Sequence, residues 1–529
     1  MDARAGNNGW MEAMKLEHSK LMERGTWKYI RLDEVPPGTT ILRSVWSFKN
    51  KLGKEGQLTQ QKARGCVDGG RQKYGVDYWE SYAPTANAAH VRMLLALAAQ
   101  ENWTIHQNDI DSAFLYGRVP SNVILVMRCL QGFEVYDTDG HPMVCLLILG
   151  LYGLVQAALL WNERLVEWFK TQGFQQCEKD ACIFRKITAE SKVIVPVHVD
   201  DLIPMGYPPR AIESWEDALE KEFSIKRLGN ADWYSGVRIE RGDGWLQLSQ
   251  EGYWTKMLDQ HNMADAYIKR MPLPAGTDLV AISHNPDDPE YDPERADGTT
   301  VRSLIGGYSW PAEMTRPDLS FARAHGARLQ QDCSMTAYNT LLNVLRYARG
   351  TMSHGVTYFA NTKLPNKPIF FVDTDFAGCR TTRKSTYFVL GIINGGAYFW
   401  KTKLMPGRPA DSTEEAEFRG LLHAARQAVC DRHMLSEIGF PVNEPTDIYC
   451  DNNNAVQLAV TGRITPSNKH IEMRGHVLRH LNNTAVIRIN WIDTKSNLAD
   501  IGTKAMRDPA GFELLRDILV KPRPAVDSV

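Results

Sequence analysis

Two aspartates standing side by side are the residues of this chain best suited to chemistry. Asp200 and Asp201 interrupt the apolar run V-I-V-P-V-H-V-D-D-L-I at residues 193–203. β-Branched residues enter and apolar ones leave, so the pattern predicts a hairpin whose turn carries two adjacent carboxylates. Neighbouring carboxylates disfavour each other's charge unless something positive sits between or beside them. A divalent cation with oxygen preference, such as Mg²⁺, meets that need. A surface turn is the plainer account, since aspartate is common in turns. A third acid changes the balance: Asp109 ends the predicted strand 103–110, in the run I-H-Q-N-D-I-D. Three carboxylates from two strand ends could hold a pair of metals about 3.5–4 Å apart, the spacing that clamps both oxygens of a phosphoryl transfer.

Those acids need a scaffold, and 529 residues predict two to four domains. Hydrophobic residues make up 43% and charged ones 23%, ordinary for a soluble globular protein. With a net charge of −1, any footprint for nucleic acid must be local. Nine cysteines without a C-x-x-C pair argue against a disulfide framework or a cysteine-rich zinc site, and fit a reducing compartment. No apolar run opens the chain, so no signal peptide is read.

Apolar periodicity predicts helices over 10–24, 91–100, 160–171 and 209–222, and strands over 41–51, 192–199, 233–240 and 245–248. Residues 272–300, rich in Pro, Asp and Gly, read as a linker. Helical pattern returns over 301–349, and from Pro368 the order of strands and helices predicts a separate α/β unit. Met143 to Trp161 carries no charge and approaches the ~20 residues of a membrane span. The reading preferred here is a buried strand, a turn at Gly150 to Gly153, and a core helix.

At this point the chain resembles the reverse transcriptase and ribonuclease H portion of a Ty1/copia-type retrotransposon polyprotein. V-W-S-F-K-N-K, Q-K-A-R with Y-G-V-D-Y-W-E-S-Y-A-P-T, Q-N-D-I-D-S-A-F-L-Y-G, L-Y-G-L-V-Q-A-A-L-L-W-N and V-H-V-D-D-L-I are similar to that family's successive polymerase motifs. R-S-L-I-G-G, T-R-P-D-L-S-F-A and L-R-Y-A-R-G-T match its connecting segment. So many matches in order, over roughly residues 10–510, are specific. The resemblance implies that Asp109, Asp200 and Asp201 are metal-binding catalytic acids. It also implies that Lys62 and Arg64 hold the incoming triphosphate, that Phe114 is an aromatic gate against a 2′-OH, and that Gln156 lines the nucleotide pocket. Departures stand close to the same residues: His198 where the family has an aromatic, Pro196 and Pro204 in the hairpin arms, and Val155, Ala158 and Leu159 in place of Lys, Pro and Arg. They predict altered support for the hairpin rather than a different fold.

A second acidic set is implied by P-I-F-F-V-D-T-D-F-A-G-C, S-T-E-E-A-E-F, I-Y-C-D-N-N-N-A and N-L-A-D-I-G-T-K, which resemble the ribonuclease H motifs. These place Asp373, Glu417, Asp451 and Asp500 as four acids from four elements, able to bind two Mg²⁺. Asp375, Glu414 and Glu415 read as supporting or solvated neighbours. Thr494 falls about where some ribonucleases H have a mobile histidine, so no histidine is assigned. Between these acids Arg463, Lys469, Arg474 and Arg479 are opposed by only Glu472, a basic footprint suited to a hybrid backbone.

The expected architecture is an α+β right-hand polymerase with fingers, palm and thumb, followed by an α/β ribonuclease H-like domain. The expected boundaries are a leader helix at 1–25, fingers and palm at 26–271, the linker at 272–300, a helical connection at 301–367, the nuclease at 368–508 and a tail at 509–529. The expected activity is RNA-directed DNA polymerisation with hybrid-specific RNA cleavage, using two Mg²⁺ per site, or Mn²⁺. Expected partners are an RNA template, a DNA primer, the RNA–DNA hybrid and deoxynucleoside triphosphates, without a membrane. The expected location is intracellular: the cytoplasm, in a virus-like particle, and also the nucleus. The alternative is a degenerate element copy that keeps the fold and binds nucleic acid but polymerises poorly. Zinc-knuckle, protease and integrase signatures are absent, so the sequence reads as a fragment, a processed product or a truncated copy.

Overall fold

A computed structural model of the chain describes residues 9–52, 58–462 and 472–524, a mixed α/β arrangement. Its central element is the strand Thr104–Ile110. That strand pairs with Asp201–Leu202 and Met205–Tyr207 on one side and with Ile225–Asn230 on the other, all antiparallel. Lys192–His198 and Ile183–Ile187 extend the sheet.

Alternation of side chains decides what covers each face. Val193, Val195 and Val197 join Ile110, Leu202, Trp161, Trp168 and Phe169 in one core under the helices Ala157–Thr171 and Pro209–Glu222. Ile105, Ile194, Ile203 and Met205 face the other way, against the helix Ala88–Gln100, which is buried along most of its length. A smaller hairpin, Ser44–Leu52 with Leu58–Val67, stands off the main sheet and carries Lys62 and Arg64.

Met143 to Trp161 divides into the strand Met143–Leu147, a turn, and the start of the helix Ala157–Thr171. Gly153 makes that turn possible: its φ is +91°, and a Cβ there would lie 2.0 Å from Val67 O. Among the described residues no helix is long and apolar enough to cross a membrane.

The segment 272–300 is not the tether that its composition predicts. Its aspartates cap turns instead of repelling the chain from the protein. Asp278 accepts from the N–H groups of Val280 and Ala281 and starts the helix Leu279–His284, whose Leu279 and Ala281 are fully buried. Asp288, Asp292 and Asp297 accept from Glu290, Glu294 and Thr300 N–H at 3.0, 2.8 and 2.7 Å. Asp288 also pairs with Arg380 at 2.8 Å, across to the second half of the chain. One contiguous core therefore runs from Leu94 and Ile105, through Leu304 and Leu345, to Val372 and Leu421.

The second half contains a five-stranded sheet in the order Gly396–Leu404, Thr386–Ile393, Ile369–Asp375, Thr446–Cys450, Ile487–Trp491. The first three strands are antiparallel and the last two join in parallel. The long helix Thr413–Glu437, capped by Ser412, packs against this sheet. Of the basic footprint, Arg463, Lys469 and the Arg474 side chain lie outside the described residues; Arg479 follows on the helix Glu472–Asn483.

Between the sheets, Arg316 and Asp318 are wholly buried and joined at 2.7 Å. Arg316 also donates to Thr351, and the Tyr347 hydroxyl donates to Asp318 at 2.6 Å. Burial alone would raise the Asp318 carboxyl, but the Arg316 charge and these hydrogen bonds hold it below the ordinary carboxylate range. Its stabilising effect is therefore present at neutral pH and lost as pH falls through that lowered value. Asp318→Ala strands a buried guanidinium and is expected to cost about 3–5 kcal/mol. Urea denaturation measures this, and a parent-like midpoint would contradict it.

Candidate active sites

The first acidic set is built by strand register. Asp201 lies directly opposite Asp109 across the ladder, which puts the two side chains on one face. Asp200 sits in the tight turn between Lys192–His198 and Asp201–Leu202. That turn is strained: Val199, a β-branched residue, has φ +60°. Such a conformation costs about 1–3 kcal/mol and persists only where its surroundings impose it. Here the Trp161 indole N–H donates to Val199 O at 2.8 Å, and Ile110 N–H to Asp200 O at 3.0 Å.

The two prolines share one irregularity. Lys192–His198 pairs with Met205–Tyr207 through residues 192–194 and with Asp201–Leu202 through 197–198, and the break between falls at Ile203 and Pro204. Pro196 O accepts from Ile203 N–H at 3.2 Å. In an antiparallel strand the N–H and C=O of one residue point the same way. The donor that Pro196 lacks would thus face the place where the partner strand is already interrupted, and the ladder that carries His198, Asp201 and Asp109 is intact beyond it.

Charge is concentrated here. Burial pushes Asp201 up to about 6, with Asp200 and Asp109 adding to the effect. Asp200 is raised by desolvation from the surrounding chain, although its surface stays exposed, and by the Asp109 charge, while Arg64 and His198 act against the rise. Among the described residues these three acids do not all meet within 4.8 Å, whereas Asp373, Asp451 and Asp500 of the second set do. The all-oxygen donors suit a hard cation such as Mg²⁺.

The residues expected around these acids fall into two groups. Arg64 lies over the Tyr152 ring at 5.2 Å and close enough to lower Asp200. Lys62, beside it on the hairpin, is lowered by burial and by Arg64, with Asp111 opposing. Phe114 is half-buried, its ring 5.4 Å from Tyr152. Gln156 is buried and turned inward: it donates to Asp77 O at 3.0 Å and accepts from Gln72 at 2.9 Å. Its amide thus holds the loop after the hairpin against the helix Ala157–Thr171.

The second set is drawn tighter. Asp373, Asp451 and Asp500 present oxygens within 4.8 Å of one another, and Glu417, Cys450 and Asp451 form an adjoining group. Asp373 lies on the central strand, opposite Phe388. Glu417, on the long helix, accepts from Thr374 N–H at 3.2 Å. The turn that carries Asp500 is tied to the Asp373 strand by Asn497, which donates to Val372 O at 2.9 Å, and by the Thr503 hydroxyl, which donates to the Asp373 carboxylate. Burial first, then Asp500, pushes Asp373 up to about 7. Burial and Asp373 raise Glu417 well above its ordinary range. Lys504 pairs with Asp500 at 3.3 Å. Asp375 is pushed up to about 6 by burial and by Asp373. Glu415, by contrast, is buried in ion pairs with Arg408 and Arg419 and secures the start of the helix.

Several positioning residues were not singled out in the sequence. Trp161 looked like core, and Val199 gives no sign of its φ. Thr503 and Lys504 stand inside the quoted I-G-T-K run, and only their neighbours in space reveal their roles.

The sequence matches known proteins. Residues 26–275 match the reverse transcriptase (RNA-dependent DNA polymerase) family, and the first acidic set lies within the matched residues. The chain is homologous over most of its length to Pol polyproteins of Ty1/copia-type retrotransposons. It is 30% identical over 515 residues to the retrovirus-related Pol polyprotein from transposon TNT 1-94 of Nicotiana tabacum, covering 97% of this chain and 38% of that one. It is 29% identical to the Pol polyprotein from transposon RE2 of Arabidopsis thaliana, covering 98% of this chain and 34% of that one. The chain thus spans little more than a third of either relative. A solved structure, LC11-RNase H1 in complex with RNA/DNA hybrid, aligns with 25% of this chain and 88% of its own at 12% identity; its TM-score of 0.20 carries no argument.

Gly420 fixes how closely the Glu417 helix approaches the Asp373 strand. A Cβ there would stand 2.8 Å from Val372 Cγ1 and 3.1 Å from Thr374 Cγ2. Gly420→Val is therefore expected to force the helix outward and to cost about 1–3 kcal/mol. Chemical denaturation tests this, and unchanged stability would show that the contact yields without strain.

Proposed function

We propose that the chain is an RNA-directed DNA polymerase joined to a ribonuclease that cuts the RNA of an RNA–DNA hybrid. The observation that supports this most is two separate sets of acids: Asp201 opposite Asp109 inside the reverse transcriptase match, and Asp373, Asp451 and Asp500 drawn together in the second half. On this reading the sheet around Asp109 is the palm and the hairpin Ser44–Leu52 with Leu58–Val67 belongs to the fingers. The sheet around Asp373 is the nuclease.

Divalent cations, most simply Mg²⁺, would supply charge stabilisation for phosphoryl transfer when bound by each set. Asp109, Asp200 and Asp201 hold the polymerase site, and Asp373, Glu417, Asp451 and Asp500 the nuclease site. Lys62 and Arg64 bring positive charge to the triphosphate of the incoming deoxynucleotide. Phe114 presents a ring where a sugar 2′-OH would meet it. Gln156 acts at one remove, by holding the wall of the nucleotide pocket. Template, primer and hybrid are then the partners of one continuous body.

Purified chain with a primed RNA template and Mg²⁺ tests the reading. Asp200→Asn should abolish synthesis and leave hybrid cleavage, and Asp373→Asn should do the reverse. Loss of both activities with either single substitution, in folded protein, would sink the assignment of two sites.

The prolines favour a second reading, a degenerate copy that binds nucleic acid and polymerises poorly. The ladder that survives beyond the break speaks for the first. Replacing Pro196→Leu, Pro204→Ile and His198→Tyr together should raise synthesis by well under the ~10²-fold that a 1 Å misplacement can cost. A rise of that size or more would move the conclusion to the degenerate copy.

A further inference from the structure

A third cluster lies away from both acidic sets and joins the two halves of the chain. His90, in the first turn of the helix Ala88–Gln100, is buried, its side chain 3% exposed. Asp180, in the loop before the strand Ile183–Ile187, pairs with His90 Nδ1 at 3.0 Å. Asp180 is itself fixed, accepting from Asn87 and Cys182 N–H at 2.8 and 3.1 Å. On the ring's other side is the long helix Thr413–Glu437, where Asp431 Oδ1 is 3.8 Å from His90 Nε2. Asp431 is wholly buried and accepts from the Tyr398 hydroxyl at 2.6 Å and from Gln427 Nε2 at 2.9 Å. A ring nitrogen of His90, Cys430 Sγ and an Asp431 carboxylate oxygen all lie within 4.8 Å of one another, and Nε2 is the nitrogen that faces Asp431. Buried as it is, Nε2 makes no hydrogen bond of ordinary geometry.

A buried polar atom left in that state calls for an explanation. The partner on the other nitrogen suggests one. Metal-binding histidines commonly donate their far N–H to a carboxylate, which fixes the ring and its tautomer, and Asp180 is placed to accept from Nδ1 in that way. Once the ring gives up its second proton, Nε2 would turn a lone pair toward a thiol and a carboxylate. One imidazole nitrogen, one thiolate and one carboxylate oxygen form a donor set that suits zinc.

We propose that His90 Nε2, Cys430 Sγ and the Asp431 carboxylate bind a zinc-class divalent cation, which clamps the helix Ala88–Gln100 to the helix Thr413–Glu437. Without a cation, burial disfavours the charged ring, but Asp180, Cys430 and Asp431 outweigh burial and push His90 up to about 10. Binding then releases one proton from the ring nitrogen and one from the thiol, and the two lost positive charges are replaced by the divalent ion. The clamp makes no use of the residues assigned to either catalytic site.

The full chain, purified without chelators and supplied with zinc, is assayed for bound metal by plasma mass spectrometry. One tightly held zinc per chain is expected, retained in an Asp109→Asn, Asp373→Asn double variant and lost in Cys430→Ser and in His90→Asn. Absence of zinc, or zinc retained by folded Cys430→Ser, would overturn the proposal. Should those variants fail to fold, cobalt substitution of the parent decides: a thiolate-to-cobalt charge-transfer band is expected, and its absence overturns the clamp.

Discussion

Repulsion among crowded carboxylates, partly buried in the first set and mostly buried in the second, is the constraint on which the rest of the structure depends. Each acidic set holds like charges together where burial already disfavours them, and Asp201 and Asp373 are pushed up to about 6 and about 7 as a result. A flexible chain would relieve such crowding by moving apart. Here movement is opposed by elements that cannot shift singly: a strand ladder that places Asp201 opposite Asp109, and a helix seated against the Asp373 strand through Gly420. The same crowding would give a cation its affinity on the proposed reading, because the cation would relieve what the scaffold enforces.

The two sites differ in how that enforcement is achieved. The second relies on side-chain ties, with Asn497 and Thr503 joining the last turn to the central strand and Thr374 N–H holding Glu417. The first relies on backbone register and on a strained turn pinned by one indole. Register is robust once a face is buried, which is why a ladder interrupted at Ile203 and Pro204 can still deliver Asp201 to its place opposite Asp109. The contiguous core from Leu94 to Leu421, with buried Arg316 and Asp318 in its middle, makes the two sites parts of one packed body.

Much of this was legible in the sequence where periodicity was strong. The hairpin around V-D-D, the helices 91–100 and 160–171 and the strand-turn-helix course of 143–161 follow from apolar spacing and turn residues, which act over short distances. The segment 272–300 was misread for a physical reason: Asp and Pro serve equally in tethers and in capped, packed turns, and only the buried Leu279 and Ala281 distinguish them. Gln156 was legible as a special position, but its inward hydrogen bonds to Gln72 and Asp77 depend on contacts about 80 residues away, beyond any local pattern. The roles of Trp161, Thr503 and Gly420 are equally non-local. The His90 cluster gathers residues from three distant parts of the chain, and a lone His, Cys and Asp carry no spacing signal.

The central claim is that each acidic set is a cation site in its own right. Anomalous diffraction from crystals of the chain grown with Mn²⁺ tests it most directly. The account predicts anomalous density beside Asp109, Asp200 and Asp201, and separately among Asp373, Glu417, Asp451 and Asp500. Density at the second set with none at the first, in crystals saturated with Mn²⁺, would contradict it.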